Sequence, residues 1–128
     1  MERKLPGILV VGVQRPIEPF LQQLEGSGRY QLTFAPDFKS AAGLLPRKPS
    51  VVLMHLPTEH AAAEEAFAYL QAFRKQAPVV VMSLAPDMRL YLNAMTLGAF
   101  DYFTSYTPLE EATRVLEKAI GWQRARAA

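Results

Sequence analysis

The chain has 128 residues, of which 50% are hydrophobic and 20% charged, and this composition predicts one folded domain whose core needs neither disulfides nor metal. It contains no cysteine, which excludes disulfides, thiolate chemistry and cysteine-based zinc sites and is typical of a cytoplasmic protein. The net charge is only +2 with the basic residues scattered along the chain, so we expect no direct nucleic-acid binding, and the first apolar run is too short for a signal peptide or a membrane span.

Five strands are predicted from short apolar runs that are rich in β-branched residues. They are Ile8–Val11, Tyr30–Ala35, Val51–Met54, Val79–Met82 and Phe100–Thr104. The second alternates apolar and polar residues and is typical of an edge strand, whereas continuous apolar runs indicate strands buried on both faces. His55 follows the third run directly, at the carboxyl end where α/β folds place ligands and chemistry.

Helices are predicted between and after these strands. They are Arg15–Glu25, a short helix capped by Asp37 and ending at Leu45, Glu59 to about Gln76 with Thr58 as its N-cap, Pro86-Asp87 to Leu97, and a last helix that begins at the capping box Thr107-Pro108-Leu109-Glu110. Serine, threonine and aspartate favour N-cap positions because their side-chain oxygens accept from free backbone N–H groups. Regular alternation of strands and helices predicts a doubly wound parallel sheet.

The whole chain, 1–128, is predicted to form a single domain. Residues 1–6 are expected to be an N-terminal tail. Residues 122–128, rich in charged and small side chains, are expected to be a C-terminal tail or the start of a linker to an output domain.

The most specific motif is Gly98-Ala99-Phe100-Asp101-Tyr102-Phe103, followed after a short interval by Pro108. Together with the order of the apolar runs, it resembles the turn and fifth strand of response regulator receiver domains. The resemblance covers nearly the whole chain. It implies a flavodoxin-like, CheY-like sheet with strand order 2-1-3-4-5 and a role in two-component signal transduction.

The same resemblance implies that the phosphorylation site is degenerate. A working receiver uses an aspartate nucleophile, an acidic pair that holds magnesium, and a lysine. At the corresponding positions this sequence has His55, Gly12 with Val13, and Ser105. Only Ser83, at the switch hydroxyl, and Tyr102, at the switch aromatic, keep the family's residue type. We therefore expect no catalytic residues, no Mg²⁺ or other cofactor, and no phosphoryl transfer.

His55 admits several interpretations. A neutral histidine that is hydrogen-bonded in place of the aspartate is favoured over a pH-sensitive switch. Phosphohistidine lacks an acidic or basic partner in the sequence, and a metal site with His60 lacks any ligand signature.

Two functional hypotheses follow. The first is a phosphorylation-independent module for protein binding or self-association through the fourth helix, fifth strand and fifth helix, where Arg89, Tyr91 and Tyr106 are candidate interface residues because arginine and tyrosine are enriched at interfaces. The alternative is a sensor of a small ligand or anion in the crevice at the strand carboxyl ends. Neither hypothesis involves a membrane.

Overall fold

The chain folds into five strands that alternate with five helices, as seen in the computed structural model, which describes residues 5–12 and 17–127. The elements are β1 (Gly7–Val11), α1 (Glu18–Gly26), β2 (Gln31–Ala35), α2 (Phe38–Leu44), β3 (Val51–His55), α3 (His60–Phe73), β4 (Val79–Ser83), α4 (Met88–Thr96), β5 (Asp101–Thr104) and α5 (Leu109–Ala127). A short 3-10 turn, Leu45–Arg47, follows α2. All predicted strands and helices are confirmed, although the predicted start of the first helix at Arg15 lies outside the described residues.

The strands form one parallel sheet in the order β2-β1-β3-β4-β5, which confirms the predicted flavodoxin-like topology. In the register, Ile8 pairs with Val51 and Val52 pairs with Val79. Because all strands run in one direction, their carboxyl ends lie along one edge of the sheet and their amino ends along the other. We call these the carboxyl edge and the amino edge. Every helix therefore begins near the carboxyl edge and ends near the amino edge.

The core consists of two apolar layers, one on each face of the sheet. Successive strand residues point to opposite faces, so Leu9 and Val11 join the layer under α2, α3 and α4, whereas Ile8 and Val10 join the layer under α1 and α5. Both layers are buried, which explains why the inner strands are apolar throughout.

One local prediction needs correction. The predicted cap at Thr58 is wrong, since α3 begins one residue later with Glu59 as its N-cap and without a side-chain capping bond. The predicted caps at Asp37 and Asp87 are confirmed, because their carboxylates accept from the N–H groups of Ser40 at 2.7 Å and Leu90 at 3.1 Å. In the segment 122–127, where the sequence predicts a tail or linker, α5 continues.

Candidate functional site at the carboxyl edge

The positions that correspond to the receiver phosphorylation site meet at the carboxyl edge. Gly12 follows β1, His55 ends β3, Ser83 ends β4 and Ser105 follows β5. A Cβ atom on Gly12 would lie 3.5 Å from the carbonyl oxygen of His55 and 3.7 Å from its Cβ, so the first two positions are in contact. Val13 lies outside the described residues.

His55 is buried at the end of β3, with only 6% of its surface exposed. Burial lowers the pKa of its imidazole below the ordinary value of 6.5, and a hydrogen bond with the backbone of Gly12 opposes this only in part. The imidazole is therefore neutral at pH 7. Gly12 itself has φ +81, a left-handed conformation that glycine adopts without strain.

Residues 84–87 connect β4 to α4, and we call them the β4–α4 loop. Ser83 and Tyr102 belong to a chain of hydrogen bonds that holds this loop in place. The Ser83 hydroxyl donates to the carbonyl oxygen of Ala85 at 2.7 Å. It lies 2.5 Å from the Tyr102 hydroxyl and therefore accepts from it. The Tyr102 oxygen in turn accepts from the N–H of Asp87 at 3.2 Å. Each hydroxyl thus donates once and accepts once within the protein.

Ser105, at the position of the receiver lysine, is bonded to the same loop. Its hydroxyl donates to the carbonyl oxygen of Leu84 at 2.7 Å, and its N–H donates to the carbonyl oxygen of Ser83 at 3.0 Å. The hydroxyl groups of Ser83, Tyr102 and Ser105 are therefore all committed to holding the β4–α4 loop against β4 and β5.

Exposed apolar side chains cluster on this loop and on the first turns of α4. Tyr91 packs edge-on against Tyr102, with ring centroids 5.5 Å apart, and Tyr106 is 74% exposed. The sequence analysis missed three further exposed residues beside them, Leu84, Met88 and Leu92. The sequence does contain a signal for Met88 and Leu92. Leu90 and Ala94 form the buried stripe of α4, and Met88 and Leu92, spaced four residues apart, form a second apolar stripe on another face of the helix.

Arg89 does not join this apolar cluster. Its guanidinium contacts Nδ1 of His60 at 3.2 Å and donates to the carbonyl oxygen of Thr58 at 3.4 Å. It therefore bridges α4 to the start of α3, whereas Tyr91 contacts β5. Of the three predicted interface residues, Tyr91 therefore lies on the β5 side of α4, Arg89 lies on the α3 side, and Tyr106 belongs to the β5–α5 connection.

No group of three or more histidine, aspartate or glutamate side chains within residues 5–12 and 17–127 is arranged to hold a metal ion. Asp87, the acidic residue closest in sequence to Ser83, uses its carboxylate to cap α4. At the described positions that correspond to the phosphorylation site, Gly12, His55, Ser83 and Ser105, the possible donors are hydroxyl groups, an imidazole and backbone atoms. Hard divalent cations such as Mg²⁺ prefer carboxylate oxygens.

No protein-family model matches this sequence, and no curated protein does. Solved structures do match. The signal receiver domain of an HD domain-containing protein from Pseudomonas fluorescens Pf-5 is 25% identical, with 95% of this chain and 99% of that chain covered and a TM-score of 0.77. A response regulator from Thermotoga maritima is 21% identical, with 92% and 99% covered and a TM-score of 0.76.

A response regulator receiver domain protein (CheY-like) from Methanospirillum hungatei JF-1 is 12% identical, with 96% of this chain and 99% of that chain covered and a TM-score of 0.74. At these identities the similarity establishes the fold. This chain therefore has the CheY-like fold of response regulator receiver domains. Among the helices of the described residues, none is both long and apolar enough to cross a membrane.

Proposed function

We propose that this chain is a non-enzymatic receiver-like domain that acts in two-component or phosphorelay-type signalling through protein contact, without being phosphorylated. The fold supports the signalling context. One observation carries the rest of the proposal: the hydrogen-bond chain from Asp87 through Tyr102 and Ser83 to Ala85 holds the β4–α4 loop with groups of the protein itself.

Phosphoryl transfer needs a nucleophile and positive charge at the same point. His55 offers a buried and neutral imidazole there, and the described positions that correspond to the rest of the site, Gly12, Ser83 and Ser105, carry no carboxylate. Ser83 and Ser105, the side chains that would face an incoming phosphoryl group, already donate to loop carbonyl oxygens. Occupying this point would require these bonds to break, so the same arrangement does not favour the anion-sensor alternative.

The apolar cluster next to the loop supports a role in protein contact. Met88 and Leu92 are 68% and 54% exposed, and Tyr106, in the β5–α5 connection, is 74% exposed. Large apolar side chains that are grouped at a surface mark interaction sites when aromatic anchors lie among them. Because the hydrogen-bonded loop leads directly into α4, which carries Met88 and Leu92, we infer that this surface is positioned to bind a partner or a second copy of the chain.

The first test is intact mass after incubation with acetyl phosphate and Mg²⁺. The expected result is an unchanged mass. A single phosphoryl adduct would overturn the phosphorylation-independent part of the proposal, and fragment mass spectra would then identify the modified residue.

The second test is sedimentation equilibrium of the wild type and of Met88→Glu/Leu92→Glu over a wide concentration range. The expected result is self-association of the wild type that weakens at least about tenfold in the double variant, because charge is introduced into an apolar contact. Phe34→Glu is the matched control, since Phe34 is 44% exposed on β2 at the far side of the sheet. Equal weakening by both variants, or a monomeric wild type, would contradict self-association through α4 and β5.

A further inference from the structure

Acidic and basic residues are interspersed along the sequence, but the fold brings many of them to opposite edges of the sheet. Helix starts lie near the carboxyl edge and helix ends near the amino edge. Six acidic residues lie in the first turn of a helix or just before it, at Glu18, Asp37, Glu59, Asp87, Glu110 and Glu111, whereas Glu25, Asp101 and Glu117 lie near the amino edge. Basic residues are concentrated beyond the helix ends or in the last turn of α5, at Arg47, Lys48, Arg74, Lys75, Arg124 and Arg126. This distribution matches the helix dipoles, and it makes the amino edge basic although the net charge is only +2, because the six cations outnumber these three carboxylates.

The first of two grooves at the amino edge has a volume of about 440 Å³ and lies beside the starts of β1, β2 and β3. Arg47, Lys48 and Arg124 line it, together with the polar side chains of Gln31 and Ser50. Its apolar lining includes Leu5, Ile8 and Leu44. No acidic residue is among the described residues that line this groove.

The second groove has a volume of about 150 Å³ and lies between the end of α3 and the last turns of α5. Its cations are Arg74, Lys75 and Arg126, and Gln76 and Gln123 add amide groups. Trp122 forms an aromatic wall that is 40% exposed. The guanidinium of Arg126 stands 4.8 Å from the centre of the indole ring.

The last turns of α5 separate the two grooves and supply cations to both, Arg124 to the first and Arg126 to the second. Within residues 5–12 and 17–127, the ion pairs involve other basic residues, namely Arg29, His60 and Arg114. Arg29 also lies near the amino edge, but its guanidinium pairs with Glu117, which accepts from Tyr30 as well. The cations of the two grooves therefore face solvent and not a carboxylate in this part of the chain.

We propose that the amino edge binds the phosphate backbone of a single-stranded nucleic acid that follows the two grooves around the end of α5. Arginine, the main cation here, matches phosphate geometry through its planar donors. Basic grooves combined with a partly exposed aromatic ring are the features with which proteins hold single strands.

The test is fluorescence anisotropy of a labelled oligothymidine titrated with the whole 128-residue chain at about 50 and 200 mM salt. The expected result is saturable binding that weakens as salt is raised. Binding releases counterions from the strand, and this release becomes less favourable as the salt concentration rises. In Lys48→Gln/Arg124→Gln/Arg126→Gln, affinity at the lower salt should fall at least about tenfold, and the salt slope should decrease by about two, since each phosphate contact to a single strand contributes about 0.7.

The matched control is Lys39→Gln/Arg114→Gln/Lys118→Gln, which removes the same charge from residues that line neither groove. This control should lose less than about threefold in affinity, since it changes only the long-range field. Circular dichroism would confirm that both variants are folded.

Three outcomes would overturn the proposal. They are no binding by the wild type, equal losses in the two variants, and tighter binding to phosphatidylserine vesicles or to duplex DNA than to the single strand. None of these outcomes bears on the mass and sedimentation tests of the carboxyl edge.

Discussion

The two edges of the sheet use their polar side chains in opposite ways. At the carboxyl edge, the hydroxyl groups of Ser83, Tyr102 and Ser105 form hydrogen bonds that hold the β4–α4 loop, and His55 is buried and neutral. At the amino edge, cations such as Arg47 and Arg124 stand exposed in a groove and contribute little to the packing of the fold.

The two edges should therefore differ in what their polar side chains contribute: those at the carboxyl edge to the stability of the fold, and those at the amino edge to the binding of a ligand. A buried polar group that is fully hydrogen-bonded stabilises one arrangement of the chain, and its removal leaves a partner unsatisfied. An exposed cation is already solvated by water, so its removal costs little until a ligand of opposite charge is present. Substitutions at the carboxyl edge should therefore change the free energy of unfolding, whereas those at the amino edge should change binding.

The largest effect is expected from His55→Asp. The new carboxylate would be buried next to the backbone of Gly12, and we expect a loss of about 2 kcal/mol in the free energy of unfolding at pH 7, because a charged group loses its hydration there. Burial would raise the pKa of this carboxyl group, so the folded state would bind more protons than the unfolded state and the loss would shrink as pH falls toward 4.

The wild type should show the opposite pH dependence. Because the folded pKa of His55 is lowered, the unfolded state binds more protons below about pH 6.5, and stability falls as pH decreases, by at most about 1.4 kcal/mol per pH unit. Urea titrations from pH 8 to 4.5 would measure both slopes, with His55→Gln as the control that lacks this titration. Parallel curves for the wild type and His55→Gln would show that His55 is not in the buried, neutral state described above.

A smaller effect is expected from Tyr102→Phe. This change keeps the ring that packs against Tyr91 but removes the acceptor for the N–H of Asp87 and the donor to Ser83. We expect a loss of about 1 to 2 kcal/mol in the free energy of unfolding, the cost of leaving a partly buried donor without a partner. Hydrogen exchange at the Asp87 amide should become faster.

The matched control for this variant is Tyr106→Phe, because Tyr106 is 74% exposed and its hydroxyl can bond to water. It should leave both the stability and the Asp87 exchange rate unchanged. If Tyr102→Phe behaves like this control, the hydrogen-bond chain does not hold the β4–α4 loop.

The fold was largely predictable because its signals are local. Apolar runs such as Val51–Met54 and Val79–Met82 indicate strands buried on both faces without knowledge of their neighbours. The short motif Gly98–Phe103 placed the fifth strand. The cap of α3 was the main local failure, since Thr58 has a suitable side chain but the helix begins one residue later.

Contacts between distant residues were not predictable in the same way. The direction in which the Ser83, Tyr102 and Ser105 hydroxyls donate depends on loop carbonyl oxygens whose positions no local pattern gives. Likewise, Arg47 and Arg124 are far apart in sequence but line one groove. The basic residues are scattered along the sequence. The parallel topology brings the ends of all helices to the amino edge, and only this arrangement shows that several of the basic residues lie close together there.

The smallest stability effect is expected at this amino edge, from the same Lys48→Gln/Arg124→Gln/Arg126→Gln variant that should lose nucleic-acid affinity. Removing these cations relieves their mutual repulsion but also removes their attraction to the carboxyl ends of the helices. The two effects oppose each other at exposed side chains, so we expect the free energy of unfolding to change by no more than about 0.5 kcal/mol. Thermal or urea unfolding at low and high salt measures this change, and a loss above about 1 kcal/mol would mean that the cations stabilise the fold itself and that the contrast between the two edges does not hold.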